Sequence, residues 1–476
     1  MYYKLNNFVF VRNINNYLQI VDKRDDSELI GDYVSFLFAK HLDYSPLQIE
    51  KIANNICSEF SGNIDFQTIK KDATLFFDRL KDFGLVSSSD SIEGFLDNNS
   101  IIILPKQKIL LPKDELKKFQ ELKKNNPRIQ SIIVEITQKC NERCVHCYIP
   151  HENKNLLMSD NDFYSIVDAC CEIGTVVNFR ISGGECMSHP SFKKYIRYVK
   201  DKGFALTLLT NLTLLDDETI DILKEGTLSQ VQVSMFSVNP EIHDRITTVP
   251  GSLEKTMKNI EKLEAAGVPV SIATQAMELN KDSIEELYEY TNKHGFNLRC
   301  DWTIIAKENR NEENLSYRIR DLSNYKNICK TRLKHCDGYE KELNEALSRS
   351  PKPETSHLCN AGTNGLYIDT NLNVHPCPGW DLIVGDLRSD SLSDIWNKSE
   401  ILQKIRNVVL KDFPKCAKCD IRNLCSICMA QADMEKVAND FKFEMPEYVC
   451  SMYRVIYDTI QEELKLTNKA KKHECE

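Results

Sequence analysis

No stretch of the 476-residue chain approaches the roughly eighteen uncharged apolar residues that a membrane-spanning helix needs. No membrane partner is expected. The opening MYYKLNNFVF has no basic region leading into a long apolar run, so no secretion signal is expected and the cytoplasm is the simplest compartment. A basic excess is missing as well. The formal charge is -9, and lysine runs such as Lys123-Lys124 are short and lie near glutamate. They read as solvated helix faces, and nucleic acid is not implied as a partner. Cysteine is absent before Cys57.

From Cys57 onward the composition is unusual. The chain holds 18 cysteines, most of them gathered at 140–147, 359–377 and 416–450. Disulfides suit small secreted proteins, and neighbouring C-x-x-C pairs cannot all be structural bridges. Thiolates that hold metal account for the pattern better.

The length points to two or three domains, and an apolar fraction of 42% is enough for packed cores. Residues 1–95 read as a small separate unit. Phe8 to Val11 and Tyr17 to Val21 are strand candidates around an Asn-rich turn. Helices are predicted near 30–41, 46–59 and 65–84. Ser45-Pro46 suits the start of the second, whose Ile49, Ile52, Ala53 and Ile56 recur at helical spacing. Ala73, Phe76, Phe77, Leu80 and Phe83 stripe the third, and Gly84 ends it. A hairpin with three helices predicts a winged helix-turn-helix. No Arg/Lys-rich recognition helix accompanies it, which argues against DNA. Residues 96–130, with a strand candidate at 100–104 and a charged helix near 113–125, form a bridge.

Over 131–305 the pattern changes. Strands at 132–136, 175–181, 205–210, 230–236, 268–275 and 297–305 alternate with helices near 159–172, 190–202, 217–225, 252–266 and 281–294. This α/β alternation predicts parallel strands with crossover helices. Six units suit a partial (β/α)6 barrel, with ligands at the loops beyond the strands. Residues 306–355 form a polar bridge, 356–455 a cysteine-rich module and 456–476 a tail, where Cys475 reads as a loose thiol.

Just after the first barrel strand stands CNERCVHCY, which places Cys140, Cys144 and Cys147 in C-x3-C-x2-C spacing. Three thiolates ligate three corners of a cubane cluster and leave one iron open. A zinc loop completed by His146 or His151 is the alternative. Zinc does not explain the next motif, Ile181-Ser182-Gly183-Gly184-Glu185, which ends the second strand. Paired glycines let a loop bring its backbone against a ligand.

Together these motifs resemble the radical S-adenosylmethionine (SAM) enzymes. The resemblance implies that the open iron binds the amino nitrogen and carboxylate of SAM, and that Gly183, Gly184 and Glu185 contact its amino group. It extends the cofactor site to Asn211, Ser234, Gln275 and Arg245 of HDRIT, where a forked donor suits the cofactor carboxylate and an outward-facing structural salt bridge is the equal alternative. His146 departs from the family's usual aromatic residue. Cys186-Met187 stands where Pro-Leu is usual. Cys186 is read either as a small buried hydrophobe or as a thiol facing the substrate channel. Cys300, in the sixth strand, is the other catalytic candidate, though a strand position favours burial as a core residue.

The later cysteines run Cys359-x17-Cys377, then Cys416-x2-Cys419-x5-Cys425-x2-Cys428, then Cys450. Their order resembles the SPASM domain of peptide-modifying radical SAM enzymes. The family often places three residues between Cys425 and Cys428, and favours glycine at the position of Leu372. By correspondence, Cys416, Cys419, Cys425 and Cys450 close an outer cluster. Cys359, Cys377 and Cys428 hold an inner one, completed by Cys336, water or a substrate thiol, or left open. Two zinc sites are the alternative. Pro378 stands where sulfatase-maturing relatives carry a basic Asp.

The resemblance therefore implies three [4Fe–4S] clusters, SAM as cofactor and an external electron donor such as flavodoxin or ferredoxin. The 5′-deoxyadenosyl radical would remove a hydrogen from a precursor peptide whose leader is held by residues 1–95 as an added strand. The product expected is an intramolecular cross-link, first a cysteine thioether. Carbon–carbon or carbon–oxygen linkage, epimerisation and sulfatase-type oxidation are the alternatives, and a noncatalytic iron–sulfur peptide-binding protein is the competing class.

Overall fold

The computed structural model describes residues 1–23, 27–60, 64–95, 108–109, 112–125, 128–150, 155–435 and 444–473. The strand candidate at 100–104, His151 and Cys475 lie outside them. The N-terminal part contains β1 (Tyr2–Leu5), β2 (Val9–Ile14), β3 (Tyr17–Asp22), β4 (Ser27–Gly31), β5 (Leu47–Gln48), β6 (Val86–Ser89) and β7 (Lys108–Ile109). The central part contains β8 (Ser131–Glu135), β9 (Asn178–Ser182), β10 (Ala205–Thr210), β11 (Ser229–Ser234), β12 (Val270–Gln275) and β13 (Asn297–Asp301). The remaining strands are β14 (Gly365–Ile368), β15 (Asn373–His375) and β16 (Gly385–Asp386).

The N-terminal part holds two small sheets, β5-β1-β6 and β2-β3-β4-β7. They share one core with the helices Tyr33–Ala39, Ile49–Glu59 and Phe66–Asp82, through Tyr3, Leu18, Ile20, Ile52, Ala73 and Phe77. Asp32 and Asp65 cap the first and third helices by accepting from Ser35 N and Thr68 N. The second helix starts at Ile49, three residues beyond Pro46. Leu47 and Gln48 are drawn into the sheet opposite Tyr3 and Tyr2, which outweighs the Ser-Pro start signal.

This part sits against the N-terminal ends of the central strands. Arg12 Nε donates to Val176 O at 2.8 Å, and its NH2 donates to Gly203 O at 3.3 Å. Leu228 N donates to Asn7 O at 2.8 Å. Phe10 packs with Val177 and Ala205 at the same seam.

β8 to β13 are parallel and lie in chain order, an open arc of six strands. Ile132, Val134, Phe179, Ile181, Leu208, Val231, Val233 and Ile272 form one core with residues of the covering helices such as Phe163, Ile196, Leu253 and Ile260. Successive side chains of a strand point to opposite faces, so this alternating apolar set lies on one face of the arc. The same sheet continues past β8 into the cysteine-rich region. β14 pairs with β8 in parallel, and β15 and β16 come next in antiparallel order. One nine-stranded sheet therefore spans both regions. Residues 306–355 contain the helices Asn324–His335 and Tyr339–Ser348. The first of these packs on the C-terminal helix Glu447–His473.

Candidate active site

The C-terminal ends of β8, β9 and β10 bring the first motifs together. The loop with Cys140, Cys144 and Cys147 leaves β8 and is held by backbone bonds. Arg143 N donates to Thr247 O and Val145 N to Ile246 O, both at 3.0 Å. The HDRIT segment is thus a support for the cysteine loop. Its His243 accepts Phe236 N at Nδ1, and its Asp244 caps the helix Ser252–Ala265 through Ser252 Oγ and Leu253 N. Arg245 is exposed and has no ion pair among the described residues.

Gly183 and Gly184 lie against the same loop. Gly184 N donates to Thr137 O and Glu185 N to Lys139 O, both at 2.8 Å. A Cβ on Gly184 would stand 2.5 Å from Gln138 O and 2.6 Å from Lys139 O. The glycines are needed for this close backbone pairing as well as for any ligand. Glu185 is fully buried. Its carboxylate accepts from Thr210 Oγ1, Asn211 N and Met187 N at 2.7, 2.7 and 3.0 Å. Asn211 in turn donates to Asn141 Oδ1 at 3.0 Å, so both side chains brace the cysteine loop. Ser234 and Gln275 end β11 and β12 on the same rim, half-buried.

Cys186 is fully buried beneath this loop, with Sγ 3.7 Å from Glu185 Oε1 and 3.6 Å from Leu209 O. This is the core-hydrophobe placement, not a channel-facing thiol. Cys300 lies in β13, half-buried beside Cys336, Tyr288 and Arg332.

No disulfide joins any of the described cysteines. Burial pushes the Cys144 thiol far up, and Glu142, Cys147 and Cys140 add to the effect. A buried thiol flanked by two more becomes a thiolate only where a cation stabilises it. Burial also raises Glu142 to about 7. His146 packs edge-on to Phe236 at 4.7 Å, so its ring takes the aromatic place. Among the described residues, the only three metal-ligating side chains that converge within 4.8 Å are Glu285, Glu289 and His335. No described cysteine trio is drawn in to the roughly 3.8 Å sulfur spacing of a tetrahedral zinc site.

The seven later cysteines separate into two sets by mutual influence. Cys416 and Cys425 are raised first by burial, then by one another's set, which includes Cys419 and Cys450. These four thiols line a cavity of about 390 Å³ walled by Leu322, Ile427, Met445 and Val449. A four-thiol cavity of this kind fits a fully ligated cluster. Cys377 is raised by burial and then by Cys428 and Cys359. Cys336 joins neither set, since it lies beside Cys300.

Sequence reasoning missed a group of acids between the two regions. Glu135 ends β8, fully buried, and accepts from Tyr367 Oη at 2.6 Å and from Thr370 Oγ1 at 2.5 Å. Glu308 lies beyond β13, and its N–H donates to Tyr148 O at 2.9 Å, one residue past Cys147. Burial lifts the Glu308 carboxyl well above the usual range, and Glu135, Asp369 and Asp381 lift it further. No motif announces these residues, because they come from four separate segments.

The Radical SAM superfamily model matches residues 134–291, and the model of the SPASM iron–sulfur cluster-binding domain matches 359–420. Among curated relatives, the AdoMet-dependent heme synthase of Methanosarcina barkeri is 26% identical over 65% of this chain and 93% of its own. The antilisterial bacteriocin subtilosin biosynthesis protein AlbA of Bacillus subtilis is 27% identical over 62% of this chain and 66% of its own. Among solved structures, Streptococcus suis SuiB bound to precursor peptide SuiA has a TM-score of 0.60 at 15% identity, covering 94% of this chain and 100% of that one. AdoMet-bound anSMEcpe has a TM-score of 0.55 at 18% identity, over 70% and 97%. The cysteine loop, the glycine pair, the open parallel arc and both family matches agree: the chain carries a radical SAM domain over residues 134–291 and a SPASM iron–sulfur cluster-binding domain over residues 359–420.

Proposed function

We propose that the chain is a radical peptide maturase that joins two residues of a ribosomally made precursor, first a cysteine sulfur to a peptide carbon. Cys140, Cys144 and Cys147 hold one [4Fe–4S] cluster with an open iron. SAM bound at that iron supplies the carbon radical that removes a hydrogen atom. Gly183 to Glu185, Ser234 and Gln275 form the rim that orients it. Cys416, Cys419, Cys425 and Cys450 hold a closed outer cluster. Cys359, Cys377 and Cys428 hold an inner one with room for a further ligand such as a peptide thiolate. A flavodoxin or ferredoxin delivers the electron.

The observation that carries this reading is the separation of the module's cysteines into four and three, on a sheet continuous with the barrel. SuiB, with which the fold is shared, binds a precursor peptide, and AlbA acts in subtilosin biosynthesis. Residues 1–95 are assigned to a winged-helix leader-recognition domain, 96–130 to a bridge and 131–305 to the barrel. Residues 306–355 form a second bridge and 356–455 the SPASM module, while 456–473, expected as a tail, continue the helix Glu447–His473 with Ile456, Ile460 and Leu464 buried. Carbon–carbon or carbon–oxygen linkage and epimerisation use the same first step. Pro378 disfavours sulfatase-type oxidation.

A second reading, a step of heme synthesis on an iron porphyrin, is favoured by the 26% identity to the heme synthase over 65% of this chain and 93% of that one. Anaerobic turnover with SAM and reductant, offered a precursor peptide or Fe-coproporphyrin, separates the two. Peptide cross-linking supports the maturase; conversion of the porphyrin alone replaces it.

A further inference from the structure

Any cross-link within one peptide removes two hydrogens from it. One leaves as a hydrogen atom to the SAM-derived radical. The other leaves as a proton and an electron, whether the new bond is to sulfur, carbon or oxygen. An oxidised iron–sulfur cluster held by the module's cysteines would take the electron; the proton needs a base beside the peptide. The expected position for such a base, next to Cys377, holds Pro378.

We propose that Glu308 is the catalytic base that takes this proton, an assignment that rests on the cross-linking reading above. Its segment connects β13 to the bridge, at the barrel mouth. Its backbone is tied to Tyr148, directly after the cysteine loop. Asp381, its other acidic neighbour, lies four residues past Cys377. Glu308 therefore stands between the radical-site loop and the inner-cluster loop, where the peptide must lie for both to act on it.

The groups facing Glu308 are already committed. Asp381 is held by Arg310 at 2.8 and 2.9 Å, and Asp433 shares that guanidinium. Asp369 is held by Asn373 and by His375. Glu135 accepts from Tyr367 and Thr370. Lys307 points its charge to Glu313. Tyr148, half-buried, and Tyr367, buried, face the same space and are neutral. Among the described residues, the Glu308 carboxyl alone of these acids has no hydrogen bond or ion pair.

A second observation points to a ligand. Gln138 is only 6% exposed, and its amide reaches Glu135. Its Oε1 has no partner. A buried carbonyl oxygen left unmade costs about 1–3 kcal/mol, and a peptide N–H would satisfy it. Gln138, joined to the same acid group through Glu135, thus offers an acceptor for peptide backbone, and Glu308 offers an unpaired carboxyl. With its proton affinity raised by burial and by the three neighbouring acids, that carboxyl is a stronger base than a solvated one, matched to neutral pH.

The test uses the iron-loaded enzyme with SAM, reductant and precursor peptide. Glu308→Gln is expected to keep 5′-deoxyadenosine formation and lose cross-linked product by about 100-fold or more. Glu308→Asp is expected to recover part of it. The wild-type cross-linking rate should rise with pH through neutrality, and the glutamine variant should lose that limb. Independently, infrared difference titration of wild type against Glu308→Gln, without turnover, should show a carboxyl losing its proton near neutral pH. Cross-linking by Glu308→Gln at the wild-type rate, or a carboxyl titrating in the ordinary acidic range, overturns the assignment. If the wild type itself forms no cross-link, the functional reading falls, and the titration alone decides whether Glu308 is a raised base.

Discussion

Tyr367 donates its hydroxyl hydrogen to Glu135 Oε2 at 2.6 Å, across two strands that pair in parallel, one from the SPASM region and one from the barrel. The bond fixes the floor between the two cofactor regions. Burial raises the Glu135 carboxyl, while Thr370, Tyr367 and Gln138 oppose that rise. Tyr367→Phe removes a donor from a buried carboxyl. It should lower stability by about 1.5–3 kcal/mol, read as an earlier midpoint in urea or heat. A shift of less than about 0.5 kcal/mol would show that the bond carries no weight.

Gly184→Ala tests the backbone pairing of the glycine loop. Its new methyl group meets two carbonyl oxygens, neither of which is a flexible side-chain end. The cysteine loop must move, and the radical-site cluster should be lost while the module's clusters remain. Iron per chain should fall by about one third, with 5′-deoxyadenosine formation abolished. Full iron content with normal cofactor cleavage would mean the loop tolerates the displacement.

Arg12 pins the N-terminal part to the barrel. Its guanidinium bonds Val176 O and Gly203 O between the rings of Phe10 and Phe204. Arg12→Ala leaves those carbonyls without their charged donor, a loss of about 1.5–3 kcal/mol at this seam. Limited proteolysis should then release the N-terminal part faster than from wild type. An unchanged digestion pattern would contradict a rigid seam.

His243 sets an acid limit. Burial lowers its pKa to about 4 from an ordinary 6.5, with Asp244 acting the other way. Between those values the unfolded chain binds a proton that the folded chain does not, so stability falls as pH drops from 6.5 towards 4. The loss is up to about 3 kcal/mol. His243→Asn keeps an acceptor for Phe236 N and should flatten that part of the stability curve. An equal slope in both proteins would move the acid sensitivity elsewhere.

Most strands of the arc are legible in the sequence because apolar residues recur at every second position between polar loops, and the helices between them carry apolar stripes. The metal-binding thiols are legible because spacing such as Cys416-x2-Cys419 is local. Pairing between distant segments is not. Nothing in Gly365–Ile368 marks it as a neighbour of Ser131–Val134, since parallel register is set by the whole sheet. The second helix starts later than its capping signal suggests because β1 takes Leu47 and Gln48, a tertiary preference that local capping rules do not see. Glu308 is invisible for the same reason: its chemistry arises from Glu135, Asp369 and Asp381, which reach it from remote positions.

Whether this protein cross-links a peptide is decided by anaerobic incubation of the iron-loaded chain with SAM, reductant and a precursor peptide encoded beside it, read by tandem mass spectrometry. The expected product is a peptide lighter by two hydrogens, with fragmentation blocked between the two joined residues and 5′-deoxyadenosine formed alongside. A peptide of unchanged mass, formed with solvent deuterium at one alpha carbon or not altered at all, would contradict the cross-linking assignment.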